Sequence, residues 1–185
     1  MNKNFLALVI SVCLLTAVAP TSVAFGVSAS PQRQGEKKQL AEAGTAVKVS
    51  EILAKLKGKT QVPIFIPSLL DSEKLYYQTT AKTDSYTISM DLTAECNGVT
   101  ACSFGEIRAQ KGGEFSTKIE GVTKTLKNVQ LARGVKGVFH NGCGAYCTAS
   151  VEWKSQGVLY TVAIKNGREA DVIKMANSAI QAGKR

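Results

Sequence analysis

The stretch HNGCGAYCTASVEWKSQGVLYTVAIKNGREADVIKMANSAIQAGKR, residues 140–185, decides the fold. Within it Cys147, Ala149, Val151 and Trp153 alternate with Thr148, Ser150, Glu152 and Lys154. That period of two is the pattern of a half-buried strand with the first set turned inward. Ser155-Gln156-Gly157 predicts a short turn, with glycine where a positive φ is wanted. A second strand over 158–164 then returns beside the first. After it, Val172, Ile173, Ala176, Ala179 and Ile180 share one face of a helix. Asn166 is its expected cap, and Glu169 three residues later completes a capping-box pattern. Trp153 is expected in the core beneath this helix.

Working outward, Tyr86, Ile88, Met90, Leu92, Ala94 and Cys96 alternate with Ser, Thr, Asp and Glu, predicting a strand over 86–96. A strand over 75–80 precedes it, joined by a turn at 81–84. The run Val62-Pro-Ile-Phe-Ile-Pro67 is apolar with a proline near each end. It predicts an edge strand, because proline cannot donate to a ladder. Val49, Ile52, Leu53 and Leu56 predict a helix over 47–57, capped by Ser50 or Thr45 and ended by Gly58. Strand resumes over 103–110 and breaks at 111–113. Ile119, Val122, Leu126 and Val129 keep helical spacing amid frequent Thr and Gly, so 114–128 reads as irregular. Short strands at 129–131 and 135–139 flank Arg133-Gly134. Strands predominate, and few connections are long enough for crossover helices. The expected fold is α+β: a mostly antiparallel sheet covered by an N-terminal and a C-terminal helix.

The chain has 185 residues, the size of one domain. Residues 1–24 read as a secretory signal peptide. Lys3 precedes an apolar run over 5–19 that is short for a membrane span. Ser22-Val-Ala24 supplies small residues for cleavage after 24, and Val27-Ser-Ala29 offers cleavage after 29. An uncleaved anchor is the competing reading. Residues 25–46, rich in Ser, Gln, Gly and charge, read as a flexible linker, and 47–185 as a single domain. The expected location is secreted or periplasmic, with no integral membrane span once the signal is removed. Losing Lys3 lowers the formal charge from +9 to +8. The excess is spread over 33–59, 108–136 and the C-terminal region, whereas 60–100 is net acidic. Such a surface suits attraction to an anionic cell-envelope polymer. No aromatic-basic module accompanies it, so nucleic-acid binding is not expected.

Cys13 falls within the signal, leaving Cys96, Cys102, Cys143 and Cys147. Four cysteines allow three pairings. Loop entropy favours a long-range bridge, at about 4 kcal/mol against about 2 kcal/mol for a short loop. Geometry is the counterweight, since a bridge across the sheet requires strands in register. The expected pairs are Cys96–Cys102 and Cys143–Cys147, each flanking glycine and closing a short loop that forms early in folding. The rival is a soft-metal site, with His140, Cys143 and Cys147 joined by Cys96 or Cys102.

Val62-Pro-Ile-Phe-Ile-Pro67, Cys96-Asn-Gly-Val-Thr-Ala-Cys102, Gly142-Cys-Gly-Ala-Tyr-Cys147, Val151-Glu-Trp153, Gly157-Val-Leu-Tyr160 and Met175-Ala-Asn-Ser-Ala179 occur in an order that resembles a family of secreted cyanobacterial proteins. The resemblance covers residues 60–183. More loosely, the Pro-containing strand and the closing hairpin and helix look like extracytoplasmic domains of bacterial anti-sigma-type membrane proteins. The shared motifs are structural, and imply a fold rather than an activity.

His140 is the single histidine, and any Ser-His-Asp chemistry would need it. Beside Asn141-Gly142 it reads as an exposed loop residue, and no Gly-x-Ser-x-Gly elbow is present. Asp91 with Glu95, and Glu106 with Glu152, are the carboxylate pairs open to glycoside hydrolysis. All fall on polar strand faces and read as solvated. Trp153, Tyr160 and Phe139 read as core, while Tyr76-Tyr77 puts one ring on each face of its strand. No catalytic, cofactor or metal residue is expected. The expected function is a non-enzymatic domain that binds or supports an envelope component. The alternative is a periplasmic sensor or accessory domain that meets a protein partner through the edge at 64–66. A cell-wall hydrolase ranks last.

Overall fold

A computed structural model describes residues 48–69, 74–118, 121 and 123–185. The expected signal peptide, linker and Thr45 cap lie outside them. Seven strands form one sheet: β1 (Tyr76–Lys82), β2 (Ser85–Asp91), β3 (Ser103–Lys111), β4 (Thr123–Gln130), β5 (Lys136–Cys143), β6 (Cys147–Ser155) and β7 (Val158–Lys165). Their order is β1-β2-β3-β7-β6-β5-β4, with every neighbouring pair antiparallel. Two meanders, β1-β2-β3 and β4-β5-β6-β7, therefore join along the β3–β7 ladder. Helix α1 (Val49–Leu56) packs by β1, and α2 (Glu169–Ala182) lies across β6 and β7. The protein is α+β, its sheet flanked by a helix at each end of the described region. No helix among the described residues is long and apolar enough to cross a membrane.

The period-two pattern at 147–154 sets the inner face. Ala149, Val151 and Trp153 are buried there, with Val158, Tyr160, Val162 and Ile164 of β7 beside them. Trp153 sits directly opposite Tyr160, and the rings stack at 5.4 Å between centroids. Val172, Met175, Ala176, Ala179 and Ile180 close the core from α2. The Gln156-Gly157 turn holds both residues at positive φ, 52° and 74°, the pairing that a two-residue hairpin turn requires.

Several expectations are corrected. Val62 to Pro67 is extended but joins no sheet. Its prolines deny it a ladder, and it becomes a strap across the inner face with Val62, Ile64 and Ile66 buried. Tyrosine hydroxyls take its backbone groups instead. Tyr86 Oη accepts from Phe65 N at 3.1 Å and donates to Phe65 O at 3.2 Å, and Tyr160 Oη donates to Pro63 O at 2.9 Å. Arg185 N also donates to Ile64 O. Ile64 to Ile66 is thus core, not an open edge. Among the described residues the free edges are β1 and β4.

β2 ends at Asp91, where the ladder to β3 shifts register, so Leu92 turns out to solvent. The segment read as irregular supplies edge strand β4 over Thr123–Gln130, because an edge exposed on most of its length needs no apolar alternation. Helix α1 starts after Lys48 without a side-chain cap, so Ser50 does not cap it. At α2 the box is made by Arg168 and Asp171, with the Asp171 carboxylate accepting from Arg168 N at 3.0 Å. Asn166 instead sits at φ 53° and accepts from Cys147 N at 3.1 Å.

Candidate functional site

The outer face of the sheet, opposite the helices, carries the polar chemistry, and two features organise it. The first is a clasp over β5 and β6. After β3 the chain must cross to the far edge of the sheet to begin β4, and residues 113–118 make part of that passage over the outer face. Ser116 N donates to Glu152 Oε2 at 2.8 Å, and Ser116 Oγ donates to Oε1 at 2.7 Å. Lys154 Nζ pairs with Glu114 at 2.5 Å and lies 5.3 Å from the centre of the Phe115 ring. Glu152, expected to be solvated, is instead 4% exposed under this segment, and Ser150, between His140 and Ala163 in the ladder rows, is 3% exposed.

His140, expected in an exposed loop, lies on β5 with its side chain 17% exposed, and its Nε2 stands 3.3 Å from Glu152 Oε1. That distance suits an ion pair with a protonated ring, but the alignment is not that of a hydrogen bond. Burial pushes the Glu152 carboxyl up, while the His140 contact and the two Ser116 bonds pull it down harder. The net effect holds it below its ordinary value. In this constellation the carboxylate stands between serine and imidazole. A nucleophilic relay needs the imidazole in the middle. No local pattern marks Ser116, since its role depends on the crossing path.

The second feature lies at one end of the sheet. Cys96 and Cys102 stand at disulfide distance with Cα atoms 5.6 Å apart, and Cys143 and Cys147, direct ladder partners, do so at 3.9 Å. The first pair closes the loop between β2 and β3, and the second closes the β5–β6 hairpin. Both loops flank the end of β7, where Lys165 joins them. Its Nζ donates to Thr100 O in the first loop at 2.5 Å and lies 5.3 Å from the ring centre of Tyr146 in the second. Between the loops is a cavity of about 210 Å³ whose lining includes Ser89, Ser103, Glu106, Tyr146, Thr148 and Lys165. Gly105 also borders it, and a Cβ there would come within 2.2 Å of Ala163 O, so only glycine lets β3 approach β7 at this point. Glu106 pairs with Arg108 at 2.5 Å.

The other residues singled out from sequence are dispersed. Glu106 and Glu152 are separated by β7 and hold different partners. The cysteines pair with one another, while His140 faces Glu152. Among the described residues no three His, Cys, Asp or Glu side chains converge as metal ligands. Tyr77 is buried in the core and Tyr76 is partly exposed. Two disulfide-distance pairs fit a protein of an oxidising, extracytoplasmic compartment. Neither protein-family models, nor curated proteins, nor solved structures match the chain.

Proposed function

We propose that the chain is a secreted or periplasmic binding domain, without catalysis of its own, that attaches to an anionic component of the cell envelope through the outer face of its sheet. The observation that carries this reading is the uneven covering of that face. Residues 113–118 close it over β5 and β6. Over β1, β2, β3 and β7 it presents Gln78, Thr80, Thr87, Ser89, Gln110 and Thr161 in ladder rows. By strand parity Lys82, Arg108, Lys124, Lys136, Lys154 and Lys165 share the face with the acids Asp91, Glu106 and Glu152. Asp91 is buried, Glu152 is held by Ser116, and Glu106 pairs with Arg108 as Glu114 does with Lys154, which leaves Lys82, Lys124, Lys136 and Lys165 over. The available excess is positive, as is the whole chain at +9, and positive fields draw anionic polymers over a Debye length.

The test is co-sedimentation of the purified protein with isolated envelope. Binding is expected to fall steeply as salt rises from about 0.05 to about 0.3 M, and to fall at low salt in a Lys82→Glu, Arg108→Glu variant. Retention that ignores salt and brings down one defined protein would replace this reading with that of an accessory domain for a protein partner. Turnover of a wall substrate, abolished by Glu152→Gln, would replace it with that of an enzyme.

A further inference from the structure

We propose that the cavity between the two disulfide-closed loops binds one acidic pyranose unit, a hexuronic-acid residue of an envelope polysaccharide. This rests on the reading that the outer face binds an anionic envelope component, and names the chemistry of that component. Four observations lead to it.

The volume comes first. At about 210 Å³ the cavity is smaller than the roughly 300–1,000 Å³ of sites for drug-sized ligands. It admits a single ring-sized unit. Its lining comes second. Hydroxyls of Ser89, Ser103 and Thr148 stand around it with the Glu106 carboxylate, a set that matches a ligand carrying several hydroxyls. The third is charge. Lys165 is the cation in the lining, and only one of its three donors is committed, to Thr100 O. It faces one carboxylate on the ligand. Glu106 is in the same lining with its charge shared by Arg108. The site thus offers one lysine and a carboxylate that accepts from hydroxyls, which favours a polyol with one negative group over a compact multiply charged anion such as phosphate. The fourth is Tyr146. It is 44% exposed, among the few large side chains so placed in the described residues, and its ring gives an apolar flank to a site otherwise polar. The two bridges fix the loops on either side, so little ordering is left for the binding step to offset.

Isothermal titration with tetragalacturonate and with uncharged maltotetraose tests this. The variants are Lys165→Met, Lys165→Arg and Thr148→Leu. Thr148 lies opposite Lys165 on the β6–β7 ladder, and a leucine there fills the cavity without altering charge. Saturable binding of tetragalacturonate is expected, at least about tenfold weaker in Lys165→Met, as loss of a charge-assisted bond implies. Lys165→Arg should retain most of the affinity, Thr148→Leu should abolish it, and maltotetraose should bind at least about tenfold more weakly. No saturation by about 10 mM, where affinity is negligible, overturns the assignment, as does binding unchanged in Thr148→Leu or equal for the two sugars. Heat-unfolding of each variant shows that it is folded, and Thr148→Leu decides the matter if Lys165→Met is not. Should tetragalacturonate fail while wild-type protein still sediments with envelope in a salt-dependent way, the cavity assignment falls alone. Should sedimentation fail too, the broader reading falls with it.

Discussion

Glu152 is the residue on which the outer face turns. It carries a charge under a covering segment, and such a group is tolerated only when its oxygens are satisfied. Ser116 donates to both oxygens. Removing the serine hydroxyl leaves a buried acceptor short of one partner, a loss of about 1–3 kcal/mol. Ser116→Ala should therefore lower the unfolding free energy from denaturant titration by that amount at neutral pH. Because the folded carboxyl is held below its ordinary value, its contribution is present above the unfolded carboxylate range near pH 4.3. It is lost as pH falls through the lower folded value. In Ser116→Ala this acid-side loss should shrink, as read from urea titrations at stepped pH. An unchanged acid limb would mean that His140 and the backbone N–H at position 116, not the serine hydroxyl, hold the carboxylate down. Trp153, on the opposite face of the same strand, is 1% exposed and stacked on Tyr160. Trp153→Ala should cost about 3–5 kcal/mol. A loss under about 1 kcal/mol would contradict its place in the core.

At the scale of elements, the strap at 62–67 shows how two tyrosines replace a missing ladder. Burial holds the Tyr86 hydroxyl well above its ordinary value, with Phe65 as a smaller opposing influence, and burial does the same for Tyr160. For an acid whose folded pKa is raised, stability is complete below the unfolded value near 10 and declines as pH climbs past it. Alkaline destabilisation above about pH 10 should therefore be weaker in the Tyr86→Phe, Tyr160→Phe variant than in wild type, even though the variant is less stable at pH 7. Equal alkaline slopes would show that lysine deprotonation, not the strap, governs that limb. The same strap marks the limit of what the sequence disclosed. Alternation at 147–154 and 86–90 read true, because a strand with one buried face must alternate. It misled wherever a face was not what it seemed. Glu152 looks solvated until residues 113–118 cross it, Leu92 continues a pattern that the register shift at Asp91 breaks, and β4 hides its strand because an exposed edge has no inward set. The site was legible only in part. The cysteine spacing framed the loops, but Lys165, Tyr146 and Ser89 meet through the β2-β3-β7-β6 order, which no local pattern encodes.

In the whole molecule two meanders share one core across the β3–β7 seam. Ile107 and Ala109 of β3 and Tyr160 and Val162 of β7 are all buried along it. The strap crosses the seam as well, held by Tyr86 from one meander and Tyr160 from the other. Neither cysteine pair does so: Cys96 and Cys102 lie within the first meander, Cys143 and Cys147 within the second. The bridges should therefore stabilise the fold without defining its cooperativity. A closed loop of this size contributes about 2 kcal/mol by restricting the unfolded chain, or about 4 kcal/mol for the two together. Guanidinium titration with and without reductant should show the unfolding free energy falling by that amount while unfolding remains a single transition, the same by circular dichroism and by Trp153 fluorescence. Two separated transitions after reduction would mean that the β3–β7 ladder and the strap do not suffice to couple the meanders. A loss well beyond about 4 kcal/mol would mean that a bridge spans the sheet, and non-reducing peptide mapping would then join Cys96 or Cys102 to Cys143 or Cys147.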